Sequence, residues 1–233
     1  MLDSLAWLGI ETTSLDRAQT FYADVLDLPV RESTDSAITF EAGDVDLVVR
    51  RSMDAPRGGV HTHFAFAIPA DEYEAWRNGL DERFELEEHD FGSMRSLFLY
   101  DPGGHCVELG QRDVQGPGID GIFEIVLEVA DLERAESFYS DLGLSVMDRG
   151  DGRRRVRLTG PVDLELWEPH LGIADGQGGI HVDLGFTAPD PDAAINAISD
   201  RAASIATVEN GQRFRDPDGH VVTIRRSEAA RLE

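Results

Sequence analysis

The sequence contains no lysine and only one cysteine, Cys106. The absence of lysine excludes Schiff-base catalysis and any phosphate-binding loop that depends on a lysine. A single cysteine excludes an intramolecular disulfide and a metal cluster held by several thiolates, which fits a reducing compartment. No apolar run approaches the roughly 18 residues needed to span a bilayer, and no basic-then-apolar secretion signal is recognisable. We therefore expect a cytoplasmic protein.

Positive charge is scarce as well. The 21 basic residues are all arginine, and they are set against 45 aspartates and glutamates, which gives a net charge of −24. Such a surface repels phosphate backbones and anionic lipids, so we expect no nucleic-acid or membrane partner. It resembles the surfaces of proteins from salt-loving organisms, with codon bias and solubility as the alternative explanation. Because 41% of the 233 residues are hydrophobic, the chain can still bury a core.

The chain repeats itself, and four segments of its first half return in the same order in its second half. The pairs are Leu15–Tyr22 with Leu132–Tyr139, Val45–Leu47 with Val162–Leu164, Gly58–His61 with Gly178–His181, and Asp101–His105 with Asp216–His220. This predicts two similar domains, residues 1–112 and 119–228, joined by a turn-rich linker at residues 115–118. Each half divides into two units with a strand, an amphipathic helix and shorter strands, so that the chain has four modules. We predict the helices near residues 16–26, 71–83, 132–142 and 190–201.

The helix signature ending in Phe-Tyr and the segment Asp-Pro-Gly-Gly-His-Cys-Val-Glu-Leu at 101–109 resemble the vicinal-oxygen-chelate superfamily. That superfamily includes glyoxalase I, extradiol dioxygenases, methylmalonyl-CoA epimerase and the bleomycin-resistance proteins. The resemblance implies an α+β fold of four βαβββ modules in tandem, paired into two half-open barrels that each surround a cavity. It covers nearly the whole chain, and it indicates the fold more specifically than the function.

The resemblance also implies where metal ligands would lie, because each pair of modules offers four positions, one in each first strand and one in each last strand. In chain order these positions hold Trp7 and Val48, His63 and Glu108, Glu124 and Glu165, and Asp183 and Thr223. Pairing consecutive modules gives no complete set of ligands. Crossed pairing, as in single-chain relatives of the glyoxalase branch, joins modules two and three and unites His63, Glu108, Glu124 and Glu165. We therefore expect one metal site, and none between modules one and four.

Strand alternation supports this expectation without the resemblance. In residues 60–68, His61 and His63 share one face, and the phenylalanines lie on the other. In residues 122–129, the same alternation places Glu124 opposite Phe123 and Ile125, which we expect to pack against helices. Carboxylates flanked by apolar neighbours on short strands usually have a function, because a buried unpaired charge is costly.

One imidazole and three carboxylates suit one six-coordinate divalent ion, such as Mn, Ni, Co, Mg or Fe(II), better than tetrahedral Zn. The resemblance then implies a metal-dependent lyase or isomerase similar to glyoxalase I, acting on a small substrate with vicinal oxygens through an enediolate. Glu108 or Glu165 would be the catalytic base. An extradiol-type dioxygenase is an alternative, although Glu124 stands where a histidine is expected. A metal-free binding protein, similar to the bleomycin-resistance proteins, is another.

Several further side chains have the alternation that could place them in the cavity. Arg155 and Arg157 could bind an anionic group of the substrate, or belong to a solvated strand. His61 could take a structural or substrate-side role, and we expect His105 and His220 to be structural. Because the modules pair within one chain, both a monomer and a homodimer are compatible with the sequence.

Overall fold

The computed structural model describes residues 1–51, 60–150, 154–168 and 183–227. Within these ranges the chain forms four modules, at residues 4–51, 60–112, 121–167 and 183–226, each with one helical segment and four strands. The predicted α+β fold of four βαβββ modules is confirmed. Among the described helices, none is long and apolar enough to cross a membrane.

The strands are numbered in chain order. They are β1 (Ser4–Thr12), β2 (Val30–Ser33), β3 (Ala37–Ala42), β4 (Val45–Arg51), β5 (Val60–Pro69), β6 (Glu87–Asp90), β7 (Arg95–Tyr100), β8 (Cys106–Arg112), β9 (Gly121–Glu128), β10 (Ser145–Arg149), β11 (Arg155–Thr159), β12 (Asp163–Trp167), β13 (Asp183–Ala188), β14 (Ser204–Val208), β15 (Gly211–Arg215) and β16 (Val221–Arg226). The helices are α1 (Leu15–Gln19), α2 (Tyr73–Asp81), α3 (Leu132–Asp141) and α4 (Pro191–Ile198).

All four predicted helices are present, and one of them differs in kind. After α1 the chain continues as a π-helical segment, Thr20–Val25, whereas the equivalent α3 remains α-helical. Three helices begin at a side-chain cap, because Ser14, Asp131 and Asp190 each accept a hydrogen bond from a backbone N–H of the first turn.

The strands form two eight-stranded sheets that draw on both halves of the chain. One sheet has the order β14-β15-β16-β13-β1-β4-β3-β2, and the other has the order β10-β11-β12-β9-β5-β8-β7-β6. Antiparallel pairs at the centre join the modules, β1 with β13 and β5 with β9. Modules one and four therefore share one sheet, modules two and three share the other, and the crossed pairing expected from the ligand positions is confirmed.

The Asp-Pro-Gly-Gly-His turn joins module two to module one, and so one sheet to the other. Asp101 is 5% exposed, and its carboxylate accepts hydrogen bonds from the Tyr22 hydroxyl at 2.8 Å and from the backbone N–H of Gly103 and His105. The His105 ring nitrogen Nε2 lies 2.7 Å from the backbone oxygen of Glu11. Buried polar groups that are satisfied in this way stabilise the fold.

The second half repeats this arrangement. The Tyr139 hydroxyl donates to Asp216 at 2.8 Å, and the His220 ring nitrogen Nε2 lies 2.9 Å from the backbone oxygen of Glu128. Each predicted repeat thus ties two modules that belong to different sheets. These hydrogen bonds place His105 and His220 in the framework, as the sequence indicates.

Candidate metal centre

The four expected ligand positions lie on adjacent strands at the centre of the sheet that modules two and three share. His63 is on β5, Glu108 on β8, Glu124 on β9 and Glu165 on β12, and the strand order there is β12-β9-β5-β8. The parallel registers of β5 with β8 and of β9 with β12 place all four side chains on one face. All four are buried, with exposures between 3% and 8%.

Three of the four side chains approach each other closely. The Nε2 atom of His63 lies 3.3 Å from Oε2 of Glu108 and 3.7 Å from Oε1 of Glu124. One ligand atom from each of these residues lies within 4.8 Å of the other two, and in the described part of the chain this is the one group of His, Cys, Asp and Glu that does so. The structure therefore brings together a His-Glu-Glu triad.

Glu108 is fixed within the triad by a residue that the sequence analysis missed. Ser96, on β7, is fully buried and donates a hydrogen bond of 2.6 Å to Oε1 of Glu108. Burial alone would raise the pKa of Glu108, but hydrogen bonds from His63 and Ser96 and the charge of the imidazole lower it below its usual value. Glu108 thus stays ionised with one oxygen turned toward His63. The sequence does carry a signal for Ser96, because a polar residue there interrupts the apolar side chains of the strand Arg95–Tyr100.

Glu165 lies on the same face but has different partners. Its Oε1 is 2.8 Å from NH1 of Arg155, and its Oε2 accepts a 2.6 Å hydrogen bond from the indole N–H of Trp167. Burial and the neighbouring Glu124 carboxylate raise the pKa of Glu165, and Arg157, Arg155 and Trp167 offset only part of that rise. A carboxylate with a raised pKa is suited to accepting and returning a proton.

The His63 imidazole is held by the two carboxylates of the triad. Burial alone would lower the pKa of His63, but hydrogen bonds and attraction from Glu108 and Glu124 raise it to about 9. In the absence of a metal the ring is therefore protonated at neutral pH. Since a metal-binding imidazole must be neutral, protons compete with a metal ion for this site.

The raised pKa of His63 predicts the pH dependence of stability in chelator-treated protein. Because this pKa is about 9 in the folded state and about 6.5 in an unfolded chain, the stabilisation is complete below pH 6.5 and is lost as the pH rises through 9. We expect the free energy of unfolding to fall by about 3 kcal/mol from pH 6 to pH 9. Urea denaturation at a series of pH values measures this.

The His63→Gln variant should lose most of this slope. His89→Gln is the matched control, because His89 pairs with Glu87 at the surface and its side chain is 47% exposed. An unchanged slope in His63→Gln, or a flat profile in the parent protein, would contradict the assignment.

Aromatic side chains line the face around the triad. The His63 ring makes edge-on contacts with Phe98 at 5.4 Å and with Trp167 at 5.9 Å between centroids. Phe123 joins them, which corrects the expectation that it packs against a helix. The register of β9 shifts between Ile122 and Glu124, and the Phe123 ring lies 2.8 Å from where a Cβ on Gly110 would be. An irregularity of this kind turns a side chain to the other face, and alternation alone does not reveal it.

The donors of the triad fit a divalent metal ion. One imidazole nitrogen and two carboxylate oxygens at separations of 3.3 and 3.7 Å can share one ion, and the carboxylates favour a hard, six-coordinate one. Glu165 could contribute a fourth donor or act on a substrate. Without an ion, Oε2 of Glu124 is buried and makes no hydrogen bond, although Arg157 forms an ion pair with it.

The equivalent face of the other sheet has a different composition. Asp183 is buried there, and its carboxylate lies 3.2 Å from NH1 of Arg50. Arg50 also lies 3.5 Å from the carboxylate of Glu11, so an internal cation bridges two acids. The Trp7 ring occupies the space that a side chain on Gly185 would need. Among the described residues, this face shows no cluster of metal donors.

The His61 side chain and His181 lie outside the described part of the structure. Burial raises the pKa of the Cys106 thiol to about 12, with a further contribution from the negative charge of Glu108, so Cys106 is not an activated nucleophile.

Comparisons with known proteins agree with this architecture. The model of the Glyoxalase/Bleomycin resistance protein/Dioxygenase superfamily matches residues 4–109. The chain is 27% identical over 122 residues to the metallothiol transferase FosB of Staphylococcus saprophyticus, an alignment that covers 49% of this chain and 81% of FosB.

Solved structures extend the similarity to both halves. A putative dioxygenase from Bacillus subtilis has a TM-score of 0.76 and 14% identity, with 97% of this chain and 86% of that chain covered. Glyoxalase I from Zea mays has a TM-score of 0.70 and 20% identity, with 98% of this chain and 94% of that chain covered. At these identities the likeness establishes the fold of the whole chain.

Proposed function

The chain belongs to the glyoxalase/bleomycin resistance protein/dioxygenase superfamily, and from that premise we propose that it is a metal-dependent lyase or isomerase similar to glyoxalase I. Its substrate would be a small molecule with two vicinal oxygens. The observation that carries the proposal is the buried His63–Glu108–Glu124 triad with a fourth carboxylate, Glu165, beside it.

The residues have separate roles in this proposal. His63, Glu108 and Glu124 would hold the ion, which would act as a Lewis acid toward the two substrate oxygens. Glu165 removes a proton from a carbon of the substrate and returns it to a neighbouring position. Its raised pKa favours this role, because the base must take up and release a proton, and the hydrogen bond from Trp167 holds the carboxylate in place.

The aromatic wall supports the same reaction. Phe98 and Trp167 border the His63 ring, and Phe123 closes the face beside Gly110. Apolar walls exclude water from the reacting carbon and strengthen the electrostatic interactions within the site.

The donor set favours proton transfer over oxygen activation. Non-haem iron oxygenases typically use two histidines and one carboxylate, whereas this triad has one histidine and two carboxylates. The dioxygenase alternative therefore ranks lower, although the fold alone is compatible with it. A metal-free binding protein ranks lower as well, because one imidazole and two carboxylates buried within reach of one another are the donors of a metal site.

Thiol transfer is the second candidate, and the similarity to FosB favours it. The same triad could serve it, because a metal ion can also polarise an electrophile that a thiolate attacks. The two candidates differ in their need for a base. Thiol transfer removes no proton from carbon, whereas a lyase or isomerase must do so.

The metal-loaded protein should be tested with three probes by NMR in D2O. They are the hemithioacetal of methylglyoxal with glutathione, a catechol under oxygen, and a small epoxide with a thiol. We expect conversion of the hemithioacetal, with or without deuterium at the new C–H bond. Ring cleavage of the catechol with oxygen consumption, or thiol addition to the epoxide without hemithioacetal conversion, would contradict the lead proposal and favour an alternative.

A further inference from the structure

Arg157 has an unusual position beside the triad. On β11 it lies opposite Glu165 in the strand register. Its NH2 group contacts Oε2 of Glu124, and its Nε lies 3.7 Å from Oε1 of Glu165. These are its only ion-pair partners within the described ranges. One guanidinium thus bridges a residue of the triad and the proposed base.

Arg155, two residues earlier, differs from Arg157 because one of its ion-pair partners lies outside the site. It contacts Glu165 at 2.8 Å, but it also forms a 2.8 Å ion pair with Asp148, whose side chain is 54% exposed. Arg155 would therefore keep Asp148 as a carboxylate partner if the carboxylates of the site bound a metal ion. Arg157 would keep only its longer, 3.7 Å contact with Glu165, because its close partner, Glu124, belongs to the triad.

We propose that Arg157 is a displaceable counter-ion, which neutralises Glu124 until a divalent ion binds there and then receives an oxyanion group of the substrate. This inference rests on the proposed metal site. Once Glu124 binds the ion, the positive charge of Arg157 is no longer balanced by it, and the ion itself repels the guanidinium. An anion seated on Arg157 restores the balance.

The geometry of Arg157 suits such a ligand. Its side chain is 27% exposed, so part of it is accessible to solvent, and its Nε atom is buried without a hydrogen-bond acceptor. A guanidinium binds carboxylate and phosphate oxygens through two parallel hydrogen bonds. The substrate class that follows is a small molecule that carries a carboxylate, phosphonate or phosphate group beside its two metal-chelating oxygens.

The internal repeat provides a matched control. On β15, Arg213 lies opposite Thr223, just as Arg157 lies opposite Glu165 on β11. Arg213 donates a 3.0 Å hydrogen bond to Thr223 on the face where the described residues include no cluster of metal donors. Arg157→Met and Arg213→Met therefore remove the same charge from equivalent positions, and only the first removes it from the candidate metal centre.

The experiment is a titration of chelator-treated protein with Co²⁺ by calorimetry, in sodium chloride and in sodium sulfate at equal ionic strength. Sulfate is the oxyanion probe. For the parent protein we expect Co²⁺ to bind about three- to tenfold more tightly in sulfate, because the two ligands assist each other. Arg157→Met should bind Co²⁺ about tenfold more tightly than the parent in chloride, since a competing cation is gone, and should show no sulfate effect. Arg213→Met should match the parent.

Equal Co²⁺ affinity and an equal sulfate effect in Arg157→Met and the parent protein would overturn the inference while leaving the metal site in place. Absence of Co²⁺ binding in every form would overturn the metal site as well. Removing Arg157 leaves the buried Glu124 with His63 as its remaining cationic partner, so the variant is also examined by thermal unfolding. Its unfolding temperature should rise more on Co²⁺ addition than that of the parent. Arg157→Lys, which keeps the charge, should retain the parent affinity in chloride.

Discussion

Replacing Glu165 by glutamine is expected to lower turnover of the converted probe about 10³-fold, while the Co²⁺ affinity changes by less than about tenfold. The size follows from the usual contribution of a positioned general base. Metal binding should survive because Glu165 lies outside the close triad, with its oxygens held by Arg155 and Trp167. Steady-state kinetics and calorimetry on the same preparation measure both quantities.

Asp163→Asn is the matched control, because Asp163 lies two residues earlier on β12 and on the same face. It removes the same charge and should retain most of the turnover. An equal loss in both variants would show that Glu165 acts only through its charge. Loss of Co²⁺ binding in Glu165→Gln would instead make Glu165 a metal ligand, and the assignment of the base would move to Glu108.

The second large effect concerns metal binding itself. His63→Ala and Glu124→Ala should each weaken Co²⁺ binding by at least about 100-fold, because each removes one donor of a buried set of three. These two residues belong to different halves of the chain and meet only through the pairing of β5 with β9. Calorimetric titration tests whether both halves contribute to one site.

Asp183→Ala provides the contrast. Asp183 is as buried as Glu124 and pairs with Arg50, but it lies on the sheet that modules one and four share. We expect this variant to lose stability and to keep the Co²⁺ affinity of the parent protein. Loss of binding in Asp183→Ala, or retained binding in the other two variants, would contradict a single site between modules two and three.

Much of the fold could be predicted because the chain is a repeat. The recurrence of Leu15–Tyr22 as Leu132–Tyr139 predicts helices of the same kind, and the Asp101–His105 turn returns at Asp216–His220 with the same tyrosine and backbone partners. The ligand positions and the crossed pairing are what the family resemblance implies, and of the pairings considered only the crossed one gives a complete set of ligands. The π-helical segment Thr20–Val25 was not predictable, since its residues match those of the α-helical α3.

The sequence predicts which residues belong to the site, but it predicts few of the contacts that these residues make. Strand period alone places His63 and Glu124 on the cavity face. It does not reveal that Phe123 joins them, because a single-residue shift in register is set by the pairing of β5 with β9. Nor does it reveal that Arg155 and Arg157 pair with the site carboxylates, since long side chains choose partners only when the cavity is assembled.

We expect the chain to hold one divalent metal ion between modules two and three. The most direct test is the metal content of protein purified without chelators, measured by mass spectrometry and referred to the protein concentration. We expect one ion per chain, lost on chelation and restored by Mn²⁺, Co²⁺ or Ni²⁺. Two ions per chain would require a site on the sheet of modules one and four, and none under any condition would contradict the proposed chemistry.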